Sequence, residues 1–281
     1  MSRAPAPILG FEARNGRQRR ICFGWYGGKF SHLEWLLPLL PRCHHYCEPF
    51  GGSAAVLLNR EPSPLESYND IDGQVVNFFK VLRDDGEALI ETLRLTPFSR
   101  EEFFVAVSEL DTELTPLERA RRFFVRARQV RTGLAQTASL GRWANCKHTS
   151  RSGMAGAVSR WWNSVEGLAE IAQRLLRVQI ENRPAIDLIQ LYDDGDTLFY
   201  CDPPYPHESR QDNKAYGYEM SDEEHRELAD VLGRIRGKAA VSGYRCRLMD
   251  RLYAGWHRVD APTKKCHSSK KPRTEALWTN Y

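Results

Sequence analysis

A chain of 281 residues, 42% of them hydrophobic, is long enough to bury a large core, which sets aside the disordered and the small disulfide-stapled classes. No run approaches the ~20 apolar residues of a membrane-crossing helix, and the first twenty residues lack the apolar stretch of an export signal, so a soluble cytoplasmic protein is expected. The net charge of +4 is unevenly spread: between 117 and 160 nine arginines and one lysine face a single acid, Glu118, which gives that stretch +9 and the remainder −5. Such asymmetry fits a polyanionic partner, with a solvated helical face as the plain alternative. The seven cysteines are an odd number in a chain this long and are read as free thiols.

In chain order, a short apolar segment at 21–26 leads into Gly27-Gly28-Lys29, and the run 33–40, closed by Pro41, predicts a helix. Residues 45–47 read as a strand entering Glu48-Pro49-Phe50-Gly51-Gly52-Ser53, and the glycine turn opens a helix over 54–59. A second strand near 66–68 ends in Asn69-Asp70-Ile71-Asp72. From 74 to about 164 the apolar spacing is helical, as in Val75, Val76, Phe78, Phe79 and Leu82 and again in Phe123, Phe124 and Val130. Within that block, the stretch 132–156 is rich in Gly, Ser, Thr and Ala and too long for an ordinary connection, which predicts a functional loop or small hairpin.

Val165, Leu168, Ile171, Leu175 and Leu176 mark an amphipathic helix, a strand over 178–181 follows, and the β-rich run 197–201 ends in Asp202-Pro203-Pro204-Tyr205. Ser221 and Glu224 make a capping box for a helix to about 235, and 239–242 and 277–280 read as the last strands. Strand and helix alternation interrupted by a helical block predicts an α/β fold. Its sheet should be doubly wound and mostly parallel, divided as 1–73, a helical insertion at 74–164, and 165–281. Ligands are then expected at the carboxyl ends of the strands.

Two of these turns carry chemistry. A glycine turn between strand and helix lets backbone approach a ligand, and an acid at the end of the next strand, here Asp70, is where dinucleotide folds hold a ribose. In Asp202-Pro203-Pro204-Tyr205 the two prolines remove two amide donors, leaving a rigid corner rich in acceptors. Asp202 and the Pro203 carbonyl are suited to accept both hydrogens of an exocyclic amine, and the Tyr205 ring to stack on a base. An aromatic amine has its lone pair delocalised into the ring, and acceptors on its hydrogens localise that pair for attack. The same acceptors stabilise positive charge arriving on nitrogen.

Taken together and in this order, the motifs resemble the Dam-like, alpha-group DNA adenine N6-methyltransferases over nearly the full chain. The resemblance implies a Rossmann-like, seven-stranded catalytic sheet with the insertion as target-recognition domain, and S-adenosylmethionine as cofactor. It further implies methyl transfer to the N6 amine of an adenine flipped out of double-stranded DNA. By position, Trp25 and Lys29 would border the methionine part of the cofactor, Glu48, Phe50 and Gly51 would line its cleft, and Asp70 would hold its ribose. Asp202, Pro203, Pro204 and Tyr205 would bind the adenine, with Asp202 also near the cofactor's amine. Segment 182–187 falls where the family's adenine-edge contacts lie, without a residue-by-residue assignment.

Arg126, Arg128, Arg131, Arg142, Lys147 and Arg151 are the candidate DNA contacts within the insertion, some of them expected to cover apolar surface with their stems. A second basic cluster, Lys264, Lys265, Lys270, Lys271 and Arg273, reads equally as a DNA clamp or a solvated loop. Cys43, His44, His45 and Cys47, even with Cys146 and His148 or Cys266 and His267, lack Cys-x-x-Cys spacing, so no metal is expected. Trp161-Trp162 reads as core at the domain junction.

Partners expected besides DNA are a cognate restriction endonuclease, no membrane, and at most a weak dimer, in a bacterial, prophage-bearing or phage-infected cell. The alternatives are the same fold acting on an RNA base, a cytosine amine or a protein glutamine amide, and a non-catalytic DNA-binding protein on this scaffold. Asp at the head of the Pro-Pro turn favours adenine, and the longer glycine fingerprint of an NAD enzyme is missing. The recognition sequence stays open, because the loop 132–152 departs from the hairpin of Dam itself.

Overall fold

A computed structural model describes residues 19–108, 113–151, 153–209, 218–262 and 274–281. Among these are the strands β1 (His45–Glu48), β2 (Leu65–Asn69), β3 (Ser150–Arg151), β4 (Met154–Ala155), β5 (Gln179–Glu181), β6 (Thr197–Cys201), β7 (Lys238–Tyr244), β8 (His257–Asp260) and β9 (Glu275–Thr279). The helices of the first half are α1 (Leu33–Leu36), α2 (Ala55–Asn59), α3 (Gly73–Asp84), α4 (Gly86–Leu95), α5 (Arg100–Ser108) and α6 (Pro116–Gln129). Those of the second are α7 (Gly156–Glu166), α8 (Leu168–Leu175), α9 (Ala185–Tyr192), α10 (Asp222–Leu232) and α11 (Arg247–Leu252).

Seven of the described strands form one sheet in the order β5-β2-β1-β6-β7-β9-β8. Strands β5, β2, β1, β6 and β7 run parallel, and β9 is antiparallel to both its neighbours. This is the mostly parallel α/β sheet that the alternation of elements predicts and the Rossmann-like, seven-stranded one that the resemblance implies. Every residue of β1 and β6 is buried, as expected of central strands covered on both faces. The chain moves from β1 outward to β2 and β5, then returns to β6 on the other side of β1. The strand ends of β1 and β6 therefore flank a topological switch point, where this architecture opens a crevice.

Helix starts are set by local chemistry. Asp72 caps α3 by accepting from the Gln74 amide at 2.9 Å, and Thr115 caps α6 ahead of Pro116. The capping box at Ser221 and Glu224 forms as predicted, but α10 stops at Leu232, before Gly233 and short of 235. The run 33–40 is not one helix: Pro38 breaks the hydrogen-bond ladder, leaving the four residues of α1 between 3-10 turns. Strand β8 carried no apolar alternation to reveal it, since its His-Arg-Val-Asp residues lie mostly exposed at the sheet edge. The last strand begins two residues earlier than the pattern predicts, at Glu275, a shift that bears on the site.

One apolar cluster runs from the sheet into the helical block. It joins Tyr46 of β1, Tyr68 of β2 and Leu198 of β6 to Phe78 and Phe79 of α3, Phe123 and Phe124 of α6 and Trp161 of α7. The Phe78 and Phe124 rings stack at 5.6 Å and Phe124 meets Trp161 at 5.5 Å, while Trp162 turns outward. On the opposite face Leu188, Phe199, Leu228 and Trp278 form a second cluster. The stretch 132–156 folds into short 3-10 turns and the β3–β4 hairpin, turned at Gly153 with φ +74°.

Candidate active site

Segments drawn from residues 25 to 228 converge at the carboxyl ends of β1, β2, β5 and β6. After β1 the chain turns through Gly51 and Gly52 directly over β2. A Cβ at Gly51 would lie 2.2 Å from the Tyr68 ring, and one at Gly52, where φ is +49°, would lie 2.6 Å from the Trp25 ring. Gly51 N–H donates to the Asn69 carbonyl at 2.7 Å. The buried Asn69 side chain donates to the carbonyls of Pro49 and Arg183 at 2.8 and 3.0 Å, which ties three strand-end loops together.

Asp70 stands at the end of β2. Its two carboxylate oxygens accept the amides of Gly52 and Asp72, both at 2.8 Å, so the group is aimed by the backbone and keeps lone pairs for a hydroxyl-bearing ligand. Burial pushes its pKa up to about 6, against the opposing pull of those amides. Glu48, 2% exposed, takes the Tyr46 hydroxyl at 2.7 Å, and burial pushes it up to about 8. Two carboxyls raised by desolvation beside one cavity are groups that a bound cation would restore to their charged form.

Asp202 follows β6 in a compact polar network. Lys29 Nζ, 2% exposed, donates to its two oxygens at 2.6 and 2.7 Å and to the Gly27 carbonyl at 2.7 Å. Ser242 Oγ donates to Asp202 Oδ1 at 2.9 Å. Lys29 Nζ also lies 2.5 Å from the Tyr205 hydroxyl, which donates to Glu275 Oε1 at 2.6 Å. Burial opposes the charge on Lys29, yet Asp202 and Glu275 outweigh it and hold its pKa above the ordinary value. Burial likewise raises Asp202; Lys29 and Ser242 oppose that rise and the nearby Glu275 adds to it.

The crevice these segments enclose has a volume of about 530 Å³. Trp25, Lys29, Glu48, Phe50, Gly51, Asp70 and Asp202, the seven positions expected to face the cofactor, all line it. Of the Pro-Pro turn, Asp202 and Pro204 line the cavity, whereas Pro203 and Tyr205 do not. Tyr205 is 3% exposed and its ring sits edge-to-face on Tyr244 at 4.9 Å, so it is packed behind the cavity rather than presented as the open platform expected for a base. From segment 182–187, Arg183, Pro184, Ala185, Ile186 and Asp187 reach the cavity. Among the described residues, eight acidic ones line it against two basic ones, Lys29 and Arg183. An acidic, partly apolar crevice of this size fits a cationic nucleoside such as S-adenosylmethionine.

The basic candidates divide. Arg131, Arg142, Lys147 and Arg151 are exposed on the segment after α6. Arg126 is instead 9% exposed and donates to the Ala106 carbonyl at 2.8 Å, its pKa lowered to about 10 by burial. Arg128 reaches the Arg160 carbonyl at 3.3 Å and is likewise lowered by burial. Arg126 thus lies on the inward side of an amphipathic helix, which removes its head from an outer surface, whereas Arg128 stays partly exposed. The cluster from Lys264 to Arg273, with Cys266 and His267, lies outside the described residues. His45 bonds Ser67 at 2.8 Å, and among the described residues no group of three metal-ligating side chains forms.

Several site residues carried no sequence signal. Ser242 and Glu275 enter through strand pairing, Tyr218 from the residues just ahead of α10, and Gln136 from the helical block itself. A parallel bridge between Gly24 and Leu134 holds the Gln136 segment beside Trp25.

A mostly parallel switch-point sheet with an acidic nucleoside-sized crevice and an Asp-Pro-Pro-Tyr corner defines a Rossmann-like, group-transferring enzyme. Residues 25–265 match the family of D12 class N6 adenine-specific DNA methyltransferases, and the chain belongs to that family. It is similar to a type II methyltransferase of Lactococcus lactis subsp. cremoris, 25% identical over 284 aligned residues that cover 92% of this chain and 94% of that protein. It is also similar to a DNA adenine methylase of Vibrio cholerae serotype O1, 24% identical over 85% of this chain and 86% of that one. A retron DNA adenine methylase of Escherichia coli is 26% identical over 64% of this chain and 62% of its own length. The protein is therefore an adenine-specific DNA methyltransferase, and no helix among the described residues is long and apolar enough to cross a membrane.

Proposed function

We propose that this chain holds S-adenosylmethionine in the crevice at the β1 and β6 strand ends and methylates the N6 amine of an adenine rotated out of duplex DNA. The observation that carries the reading is the meeting of Asp70, Glu48, Lys29 and Asp202 on one cavity although they come from four separate segments. When bound, the cofactor supplies an electrophilic methyl on a sulfonium. Asp70 holds the ribose through lone pairs left by its two amide donors, and Trp25, Phe50 and the glycine turn form the cleft. Asp202 accepts a hydrogen of the adenine amine. A carboxylate offers about four lone-pair sites, so Lys29, Ser242 and an amine hydrogen can be accommodated together.

Asp202 then helps to localise the nitrogen lone pair and opposes the positive charge that builds on it, a preorganised electrostatic role that needs no strong base. Stacking of the base on Tyr205 calls for the Pro-Pro turn to open from its packing on Tyr244. Tyr218, half exposed on the cavity wall, offers an aromatic face without that movement.

The block 74–164 is proposed as the target-recognition part, with Arg131, Arg142, Lys147 and Arg151 on phosphate and Gln136 reaching the catalytic cavity. It shares a core with the sheet, which suits an insertion that must stay in register with the site. A cognate restriction endonuclease is proposed on the ground that the lactococcal relative is named a type II methyltransferase. The test is expression in a bacterium lacking endogenous methylation, followed by single-molecule sequencing. N6-methyladenine in one short sequence context is expected. An unmodified genome in cells holding folded protein, or methyl groups on cytosine, overturns the reading.

A further inference from the structure

The network around Asp202 contains one charge more than its hydrogen bonding requires. Lys29 has acceptors in the Gly27 carbonyl and both oxygens of Asp202, and the Tyr205 hydroxyl needs only one neutral acceptor. Yet Glu275, 5% exposed, is placed 2.6 Å from that hydroxyl and 3.4 Å from Lys29 Nζ. Its position is set by the sheet. Glu275 is the cross-strand partner of Tyr244, whose ring packs on Tyr205, and Ser242, which anchors Asp202, lies on the same face two residues earlier in β7. The β7–β9 pair thus carries both the anchor of Asp202 and a second carboxylate behind Lys29.

Two carboxylates share one ammonium in this buried cluster. A lone Lys29–Asp202 pair would be neutral, and Asp202 would offer an incoming amine little field. With Glu275 the cluster holds, among the described residues, one carboxylate more than it has ammonium groups next to the crevice, where electrostatic interactions are strong because water is excluded. We propose that Glu275 is a positioning residue for methyl transfer: it takes the Tyr205 hydroxyl hydrogen and shares Lys29 with Asp202, so that Asp202 is anchored without its charge being cancelled. This rests on the function proposed above.

The charge itself is the testable part, because a glutamine can replace every hydrogen bond that Glu275 accepts. Wild type, Glu275→Gln and Glu275→Asp are compared for melting temperature, kcat, both KM values, and calorimetric affinity for S-adenosylmethionine and for S-adenosylhomocysteine, whose thioether sulfur carries no charge. Glu275→Gln is expected to lower kcat by about tenfold or more with KM values little changed. Its preference for the sulfonium over the thioether should fall at least about threefold, and Glu275→Asp should restore that preference. Wild-type kcat and preference in Glu275→Gln overturn the inference, as does a preference equally lost in Glu275→Asp. Should Glu275→Gln fail to fold, Tyr205→Phe keeps all three charges and must retain the wild-type preference; a change there overturns the inference as well. Absence of binding and transfer in the wild type would instead overturn the proposed function.

Discussion

Lys29 Nζ and Asp202 Oδ1 lie 2.6 Å apart across 173 residues of sequence, and this ion pair ties the N-terminal glycine turn to the Pro-Pro corner. Neither residue reaches bulk water easily, since their side chains are 2% and 16% exposed. The pair therefore joins the two halves of the site at one point, and the halves are expected to fail together.

Asp202→Asn keeps the shape of the corner while removing its charge. A fall in kcat of roughly 10²–10³-fold is expected, the usual cost of losing one preorganised electrostatic group. DNA affinity in a mobility-shift assay should stay near wild type. Turnover within threefold of wild type would show that the carboxylate does not act on the amine.

Acidity should couple to cofactor binding. Glu48 and Asp70 have pKa values of about 8 and about 6 in the folded chain, above the ordinary 4.5 and 3.8. The folded protein therefore retains protons that the unfolded chain gives up in these windows. Stability from these groups is present at low pH and lost as pH rises toward about 8. A cation against the carboxylates favours their charged forms, so binding of S-adenosylmethionine should release protons near neutrality. Calorimetry in buffers of different ionisation enthalpy reads that release directly, and proton uptake would contradict it.

The glycine turn should tolerate no side chain. Gly51→Ala places a methyl group 2.2 Å from the Tyr68 ring, a collision with a fully buried aromatic. A loss of about 1–3 kcal/mol in stability is expected by chemical denaturation, together with weakened cofactor binding. Unchanged values for both would mean that the turn and β2 can separate freely.

A second buried ion pair is purely architectural. Arg174 of α8 grips Glu66 of β2 through two contacts of 2.5 and 2.7 Å, and neither residue lines the crevice. Arg174→Met leaves the fully buried Glu66 carboxylate without its main partner and should cost about 3–5 kcal/mol. Cofactor affinity of the folded fraction should not move.

The basic residues should separate by salt dependence. Arg131→Ala, Arg142→Ala, Lys147→Ala and Arg151→Ala are each expected to weaken DNA binding and reduce the slope of log affinity against log salt by about one. Arg126→Ala should lower the melting temperature and leave that slope unchanged, since its guanidinium is spent on the Ala106 carbonyl. A changed slope for Arg126→Ala would place its charge on DNA after all.

The glycine turn, Asp70 and the Pro-Pro corner were legible in the amino-acid sequence because their chemistry is local: backbone conformation at glycine and proline, and an acid at a strand end, are properties of a few adjacent residues. The same holds for the capping box at Ser221 and Glu224 and for the buried central strands β1 and β6. What the linear chain determined was therefore the fold class, the order of motifs and the family. The tertiary structure alone decided that Arg126 turns inward, that Tyr205 is packed against Tyr244, and that Ser242 and Glu275 belong to the Asp202 network. These depend on which face of a helix meets the core and which strands become neighbours. Strand pairing is non-local, so a glutamate at position 275 gains its meaning only when β9 is laid against β7.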